Sequence, residues 1–226
     1  MPARLLTEAT YQAAYWTAVP TFLLGWGFRA TGRHHLPRTG PALLVANHQS
    51  FIDPVLVGAA ANRWLTYLAR ANLWTNPHLG RLISHFDAVP IDRGFGRDGL
   101  KAVLDALGRG KAVLMFAEGE RTHTGDVQEL KPGVHLLLKR VTCPVVPVGI
   151  AGAYDAWPRH HKLPRPDTLA LPTAGRSIAV AFGEACDPSR FAGRDRVAAL
   201  EALRGELVTA KVAAERLRRP VRCPKR

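Results

Sequence analysis

The sequence predicts an α/β domain with a largely parallel central sheet that is covered by helices on both faces. Short apolar runs with the composition of buried strands alternate with segments whose apolar residues recur at helical spacing. These runs are PALLVA (41–46), LTYLA (65–69), AVPI (88–91), AVLMFA (112–117), PVVPVGI (144–150) and RSIAVAFG (176–183). Such alternation is typical of parallel sheets. At 226 residues the chain is long enough for a single domain with a sizeable core.

Helix-start residues stand between these runs. Asp53 precedes a proline and is expected to cap a helix, the pair Asn76 and Pro77 opens a second helix, and Asp98 is expected to cap a third. A last helix is predicted from Arg194 to about Arg219, because apolar residues again recur at helical spacing. Residues 151–175, rich in Pro, Gly and His, are expected to be an irregular connection.

The charge balance predicts an anionic partner. Lys and Arg number 31 against 18 Asp and Glu, which gives a formal net charge of +13. A basic surface attracts lipid head groups, nucleic acid or an acidic carrier. The three cysteines, Cys143, Cys186 and Cys223, are too widely spaced for a disulfide framework or a metal-ligand set, which fits a reducing compartment.

The N-terminal segment has the character of a membrane-surface helix. Residues 9–28 carry no charge and are rich in aromatic side chains, but threonines and Pro20 interrupt the apolar run. Basic residues follow at once, namely Arg29, Arg33, His34 and His35. We predict an amphipathic helix in or on the bilayer surface, while a buried core helix and a true span remain alternatives. The predicted division is a membrane-associating segment (1–30), a catalytic domain (31–219) and a basic tail (220–226).

Polar residues follow four of the predicted strands, where the carboxyl ends of parallel strands share one edge of the sheet. The first such end carries His48, with Asp53 five residues later; these are the parts of a general base and its orienting carboxylate. The other ends carry Arg70, Arg93, and Glu118 with Arg121. Arginines at such an edge suit a phosphate. Together these residues predict a site that activates a hydroxyl group on a phosphorylated alcohol.

Four short blocks carry a resemblance to a known family. NHQSFID, VPIDR, FAEGER and VPVGI stand in the order and approximate spacing of the four blocks of the glycerolipid acyltransferases, which include the lysophosphatidate acyltransferases. The resemblance covers roughly residues 30–185. It implies that His48 is the general base, that Asp53 orients its imidazole, and that Arg93, Glu118 and Arg121 bind the glycerol phosphate of the acceptor.

The same resemblance suggests supporting residues. Gly119 matches the third block and would let backbone N–H groups approach an anion. Arg70 and Lys131 are expected to add positive charge near the phosphate. Backbone N–H groups near Val148, within 146–149, are expected to stabilise the oxyanion of the reaction intermediate.

Two residues of the third block depart from the family pattern, which usually reads FPEGTRS. Ala117 replaces its proline and Glu120 replaces its threonine. Glu120 places a carboxylate beside the predicted phosphate site, which is unfavourable unless it points away or pairs with a cation. This departure leaves the identity of the acceptor more open than the reaction.

The resemblance implies acyl transfer without a metal, another cofactor or a covalent intermediate. The donor would be acyl-coenzyme A or acyl carrier protein, and the acceptor a lysophospholipid, chiefly 1-acyl-sn-glycerol-3-phosphate, with phosphatidic acid as product. An anionic membrane surface is also an expected partner, whereas nucleic acid is not expected to bind. The expected location is the cytoplasmic face of the cell membrane, with the protein peripheral or monotopic.

Three other functions explain the sequence less completely. Gly94, Gly96 and Gly99 form a G-x-G-x-x-G pattern between a strand and a helix, which leaves a dinucleotide-binding enzyme as an alternative. A non-enzymatic basic binder would explain the charge but not the strand-end residues. The absence of G-x-S-x-G argues against a serine hydrolase. The pairs His34–His35 and His160–His161 lack further ligands at the usual zinc spacing.

Overall fold

The computed structural model describes residues 2–91, 96–171 and 173–220. Within these residues, seven strands form one sheet in the order β1-β7-β6-β2-β5-β3-β4. The strands are β1 (Arg29–Thr31), β2 (Ala42–Ala46), β3 (Leu65–Arg70), β4 (Ala88–Ile91), β5 (Ala112–Phe116), β6 (Val145–Ala151) and β7 (Ala179–Phe182). Neighbouring strands are parallel except β6 and β7, which are antiparallel. The predicted single α/β domain with a largely parallel sheet is confirmed.

The helices fill the connections and cover both faces. They are α1 (Pro2–Trp26), α2 (Asp53–Ala61), α3 (Pro77–His85), α4 (Arg97–Gly108), α5 (Gly133–Leu138), α6 (Ala153–Ala156), α7 (Ser189–Ala192) and α8 (Arg196–Leu217). Short 3-10 helices cover Arg33–His35 and Ala71–Thr75. All six predicted strands are present, whereas β1, α6 and α7 were not predicted, because elements of three or four residues give too little periodicity to recognise.

The predicted helix caps are only partly confirmed. Asn76 caps α3 through its side chain, which accepts hydrogen bonds from the backbone N–H groups two and three residues later. Asp53 is instead the first residue of α2, whose N-cap is Ile52, and its carboxylate faces the preceding loop. Asp98 likewise lies inside α4, whose N-cap is Gly96.

The central strand β2 is buried on both faces. Leu44 and Ala46 pack into one apolar cluster together with α2, while Leu43 and Val45 pack into a second cluster together with α4, α5 and α8. All four side chains are fully buried. Since side chains alternate between the faces of a strand, this pattern requires apolar cover on both sides of the sheet. The strand end that carries His48 is therefore firmly fixed.

Helix α8 lies against β6 at a close approach that glycine permits. A Cβ atom on Gly149 would lie 2.1 Å from the carbonyl carbon of Ala210. The buried side of α8 includes Leu203, whereas Val197 and Val208 are exposed. They lie off the stripe of small and apolar side chains that contacts the sheet.

Helix α1 is helical as predicted and contacts the domain both in its middle and near its C-terminal end. The Tyr11 hydroxyl donates to the Arg63 carbonyl oxygen at 2.8 Å, and the Tyr11 ring lies 4.6 Å from that of Trp64. The Thr10 hydroxyl lies 2.6 Å from Nε2 of His85, at the end of α3. Among the described residues, none of the helices combines the length and the apolar character needed to cross a bilayer.

Candidate active site

The register of two central strands brings the first and third sequence blocks together. Ala46 of β2 is paired with Phe116 of β5, so the residues two positions later, His48 and Glu118, also lie side by side. The backbone N–H of His48 donates to Oε1 of Glu118 at 2.9 Å, and the N–H of Thr122 donates to the His48 carbonyl at 2.8 Å. The two loops are thus joined through the backbone of His48.

His48 and Asp53 form a hydrogen-bonded pair. Nδ1 of His48 lies 2.8 Å from Oδ2 of Asp53, whose side chain is fully buried. The same oxygen accepts hydrogen bonds from the backbone N–H groups of Gln49 and Ser50. An ionised carboxylate only accepts, so Nδ1 carries the proton and Nε2 is left as the basic nitrogen. The imidazole also stacks on Phe116, with ring centroids 4.0 Å apart and planes at 19°.

The side-chain amides of Asn47 and Gln49, the two neighbours of His48 in the chain, are also hydrogen-bonded. The side chain of Asn47 accepts from the N–H of Ile150 at 2.7 Å and donates to its carbonyl at 3.0 Å. The side chain of Gln49 donates to the Gly125 carbonyl at 2.7 Å and accepts from the N–H of Tyr154 at 3.2 Å. The backbone at His48 and on both sides of it is therefore held by hydrogen bonds to neighbouring segments.

His48 lines a cleft of 1080 Å³ with two kinds of wall. The apolar wall comes mainly from α1, α2, α3 and β3 and includes Ala14, Ala18, Val55, Leu79, Leu82, Ile83 and Phe86. The polar wall includes Arg70, Gly119, Glu120, Arg121, Lys131 and Arg159. A cleft with one long apolar wall and one cationic wall suits an amphiphile that carries an anionic group.

The predicted cations Arg70, Arg121 and Lys131 are thus brought to the same cleft as His48. Burial lowers the pKa of Arg121, and the neighbouring charges of Arg159 and Arg70 lower it further. Such mutual repulsion between cations is relieved when an anion binds. Arg93 lies outside the described residues; it follows β4, which is paired with β3 and therefore ends beside Arg70.

Glu118 differs from its expected role. Its side chain is buried, does not line the cleft, and accepts from the N–H groups of His48 and Gln128, the latter at 3.1 Å. Burial raises the pKa of Glu118 to about 7, against the lowering effect of these two hydrogen bonds. In the structure Glu118 therefore positions the backbone of His48 instead of facing the phosphate site.

Gly119 and Val148 also differ from expectation. Gly119 has a left-handed φ of 71°, but its N–H donates to the Phe116 carbonyl at 3.1 Å and is not free for an anion. Val148 is fully buried in β6 and is paired with β2 on one side and β7 on the other. The prediction of oxyanion donors near Val148 is wrong, because the backbone of a central strand is engaged in the sheet.

Glu120, a residue that departs from the family pattern, lies beside Arg159 and His123. Its Oε2 lies 3.8 Å from Nη1 of Arg159 and 3.9 Å from Nε2 of His123. The unfavourable carboxylate at a phosphate site is thus offset by Arg159, which approaches from another part of the chain. The sequence alone gave no sign of this contact.

Comparison with known proteins places the chain in a family. The sequence profile of the family described as Acyltransferase matches residues 27–151, which include the whole of the hydrogen-bonded pair and most of the polar wall. The chain belongs to the acyltransferase family.

Curated relatives agree with this assignment. The chain is 34% identical over 121 residues to a "Probable 1-acyl-sn-glycerol-3-phosphate acyltransferase" of Mycoplasma genitalium, covering 50% of this chain and 45% of that protein. It is 28% identical over 131 residues to a chloroplastic 1-acyl-sn-glycerol-3-phosphate acyltransferase of Arabidopsis thaliana, covering 56% and 36%. The chain thus spans less than half the length of these two relatives.

A solved structure shares the fold. The 1-acyl-sn-glycerophosphate acyltransferase PlsC of Thermotoga maritima superimposes with a TM-score of 0.73 at 20% identity, covering 93% of this chain and 80% of that chain. The family assignment replaces the dinucleotide alternative. Of its glycines, Gly94 lies outside the described residues, Gly96 caps α4 and Gly99 is buried in the first turns of that helix.

Two residues of the site were missed by sequence reasoning. Phe116, which stacks on His48, is the first residue of the third block, FAEGER. Its place in that block could have marked it as a residue of the site. Arg159 lies in the connection that was predicted to be irregular, and no sequence pattern places it at the cleft.

Proposed function

We propose that this chain transfers a fatty acyl group from an acyl thioester to the free hydroxyl of a lysophospholipid. The acceptor is 1-acyl-sn-glycerol-3-phosphate, the product is phosphatidic acid, and the donor is acyl-coenzyme A or acyl carrier protein. The observation that carries this proposal is the imidazole of His48, held by Asp53, in a cleft with one apolar and one cationic wall.

The geometry supports general-base catalysis by His48. Nε2 removes the proton from the acceptor hydroxyl as its oxygen attacks the thioester carbonyl carbon. The buried carboxylate of Asp53 stabilises the imidazolium that forms. When the tetrahedral intermediate collapses, the carbon–sulfur bond breaks and the proton on Nε2 passes to the departing sulfur. The ester and a free thiol are then the two products.

The two walls divide the binding of the acceptor. The apolar wall accommodates acyl chains, since burying methylene groups is favourable by about 0.8 kcal/mol each. Arg121, Arg70 and Lys131 bind the phosphate through charge-assisted hydrogen bonds, and we assign Arg93 to the same group from its place after β4. Glu118 supports the site through the backbone of His48.

The reaction is tested with purified full-length protein in detergent, given lysophosphatidic acid and either acyl-coenzyme A or acyl carrier protein. Thiol release and phosphatidic acid formation are followed together. We expect both products in equal amounts, and a loss of at least ~100-fold in His48→Ala. Thiol release without phosphatidic acid would refute this acceptor, and no product with either donor would refute the proposed reaction.

We also propose that the chain is divided into a membrane-associating segment (1–30), a catalytic domain (31–219) and a basic tail (220–226). The first of these binds the cytoplasmic face of the cell membrane. Trp16 and Leu24 on α1 are 69% and 62% exposed, and large apolar side chains exposed on one helix can insert into a lipid surface. Flotation with vesicles of anionic or zwitterionic lipid tests this. We expect binding to anionic vesicles that weakens in Trp16→Ser; equal flotation of both proteins would contradict it.

A further inference from the structure

The polar wall of the cleft contains one arginine that neither the four sequence blocks nor the ends of the predicted strands supply. Arg159 lies in the connection after α6, and it lines the cleft together with Arg70, Arg121 and Lys131. Among the described residues that line the cleft, Glu120 is the only carboxylate beside these four cations. The polar wall therefore carries an excess of positive charge.

The loop that carries His48 also fixes the segment that carries Arg159. The hydroxyl of Ser50 donates to the Trp157 carbonyl at 2.8 Å, and the ring of Phe51 lies 6.1 Å from that of Trp157. The indole N–H of Trp157 then donates to the His161 carbonyl at 3.0 Å, which closes the turn around Arg159. The position of this arginine is thus set by the catalytic loop itself.

The guanidinium group of Arg159 has three polar neighbours, and its ion pair with Glu120 is the longest of these contacts. Its Nη1 lies 2.8 Å from Nε2 of His123, 3.3 Å from the Arg121 carbonyl and 3.8 Å from Oε2 of Glu120. The side chains of Arg159 and Glu120 are 36% and 46% exposed. An exposed ion pair at 3.8 Å contributes little stability, so an incoming anion can compete with Glu120 for the guanidinium group.

We propose that Arg159 is a specificity-determining residue that contacts the anionic headgroup of the acceptor, which displaces Glu120 as the anionic neighbour of its guanidinium group. The inference rests on the proposed function. The headgroup class it selects is a phosphate monoester, because the planar fork of an arginine pairs with two phosphate oxygens and a monoester carries nearly two charges. A phosphate diester, with one charge, benefits less.

Binding of two lysophospholipid analogues without the acceptor hydroxyl tests the proposal independently of catalysis. One ends in a phosphate monoester and the other in a methyl phosphate diester; dissociation constants are measured by calorimetry on the full chain in detergent. We expect Arg159→Ala to weaken the monoester by about tenfold or more and the diester by less than about threefold. Arg159→Lys, which keeps the charge but loses the fork, should fall between.

Arg165→Ala is the matched control. Arg165 lies on the same connection and is exposed, but it does not line the cleft, so its loss changes the net charge equally without touching the headgroup. We expect both dissociation constants to stay within about twofold of the wild type. If the two arginine variants weaken binding equally, Arg159 acts only through the net charge of the surface, and the proposal is overturned.

Glu120→Gln tests the second half of the proposal. Removing this carboxylate leaves Arg159 without its anionic neighbour, so we expect the monoester to bind about as tightly as in wild type or severalfold more tightly. Weaker binding would show that Glu120 serves the headgroup itself and would overturn its assigned role. Acyl transfer is assayed in parallel: wild-type protein that transfers no acyl group refutes the proposed function, whereas active protein with an unchanged monoester affinity in Arg159→Ala refutes this inference alone.

Discussion

The two ends of the site are built differently. The carboxylate of Asp53 is fully buried, lies 2.8 Å from the imidazole and accepts two further backbone hydrogen bonds. On the polar wall, Glu120 and Arg159 are partly exposed and 3.8 Å apart. Fixed geometry at the reacting atoms favours the chemical step, whereas a looser wall can adjust to a headgroup. We therefore expect the first region to govern kcat and the second to govern the KM of the acceptor.

The largest effect is expected from Asp53→Asn. The amide can present its N–H₂ group to Nδ1 of His48, which favours the wrong tautomer and leaves the imidazolium without a counter-charge. We expect kcat to fall roughly 1,000-fold or more with acceptor KM within about threefold. Steady-state kinetics with lysophosphatidic acid measure both constants. A change confined to KM would break the division between the two regions.

The next effect concerns Glu118, whose pKa lies at about 7 instead of the ordinary 4.5, mainly because of burial. The folded state then binds this proton more tightly than the unfolded state. Its contribution to the free energy of unfolding therefore falls as pH rises from about 4.5 to about 7 and is constant above.

Urea unfolding at pH 5 and pH 8 measures this contribution. We expect the stability of wild type relative to Glu118→Gln to fall by about 2–3 kcal/mol over that interval. Glu129→Gln is the control, because Glu129 is exposed on the same loop and should show no such trend. A pH-independent difference between wild type and Glu118→Gln would contradict the raised pKa.

Arg121→Ala tests the second region, the polar wall. Losing one charge-assisted contact should raise the acceptor KM by about tenfold or more, with kcat within about threefold. Arg140→Ala, at an exposed position away from the cleft, serves as the control in the same assay. An Arg121→Ala enzyme with normal acceptor KM would remove this residue from the phosphate site.

The smallest effect is expected from Phe116→Leu. Leucine keeps an apolar contact but loses the stacking on the imidazole of His48, which is worth about 0.5–1.5 kcal/mol for aromatic pairs. We expect kcat to fall about three- to tenfold with an unchanged acceptor KM. If kcat stays at the wild-type value, the stacked ring does not help to orient the base.

The sequence predicted the fold well because fold and pattern are linked locally. Buried strands such as β2 are continuous apolar runs, and Asn76 caps α3 through contacts only three residues away. The three-residue strand β1 was missed, since it is exposed and gains its place by pairing with β7, far along the chain. Residues 29 and 30, at the end of the predicted segment 1–30, therefore lie in a strand of the sheet.

The site was predicted in its membership but not in its contacts. His48 and Asp53 are five residues apart, so a loop of fixed length brings them together. Glu118 depends instead on the register of β2 against β5, which turns its carboxylate toward a backbone N–H. Arg159 depends on the path of a connection without periodicity, and no local rule places it at the cleft.

The most direct test of the account separates binding from chemistry at His48. Acceptor affinity and the rate of acyl transfer are measured on wild type and His48→Ala, with lysophosphatidic acid and the thioester donor that supports turnover. We predict an acceptor dissociation constant within about threefold of wild type and a transfer rate at least ~100-fold lower. Transfer that persists in His48→Ala would contradict the assignment of His48 as the general base.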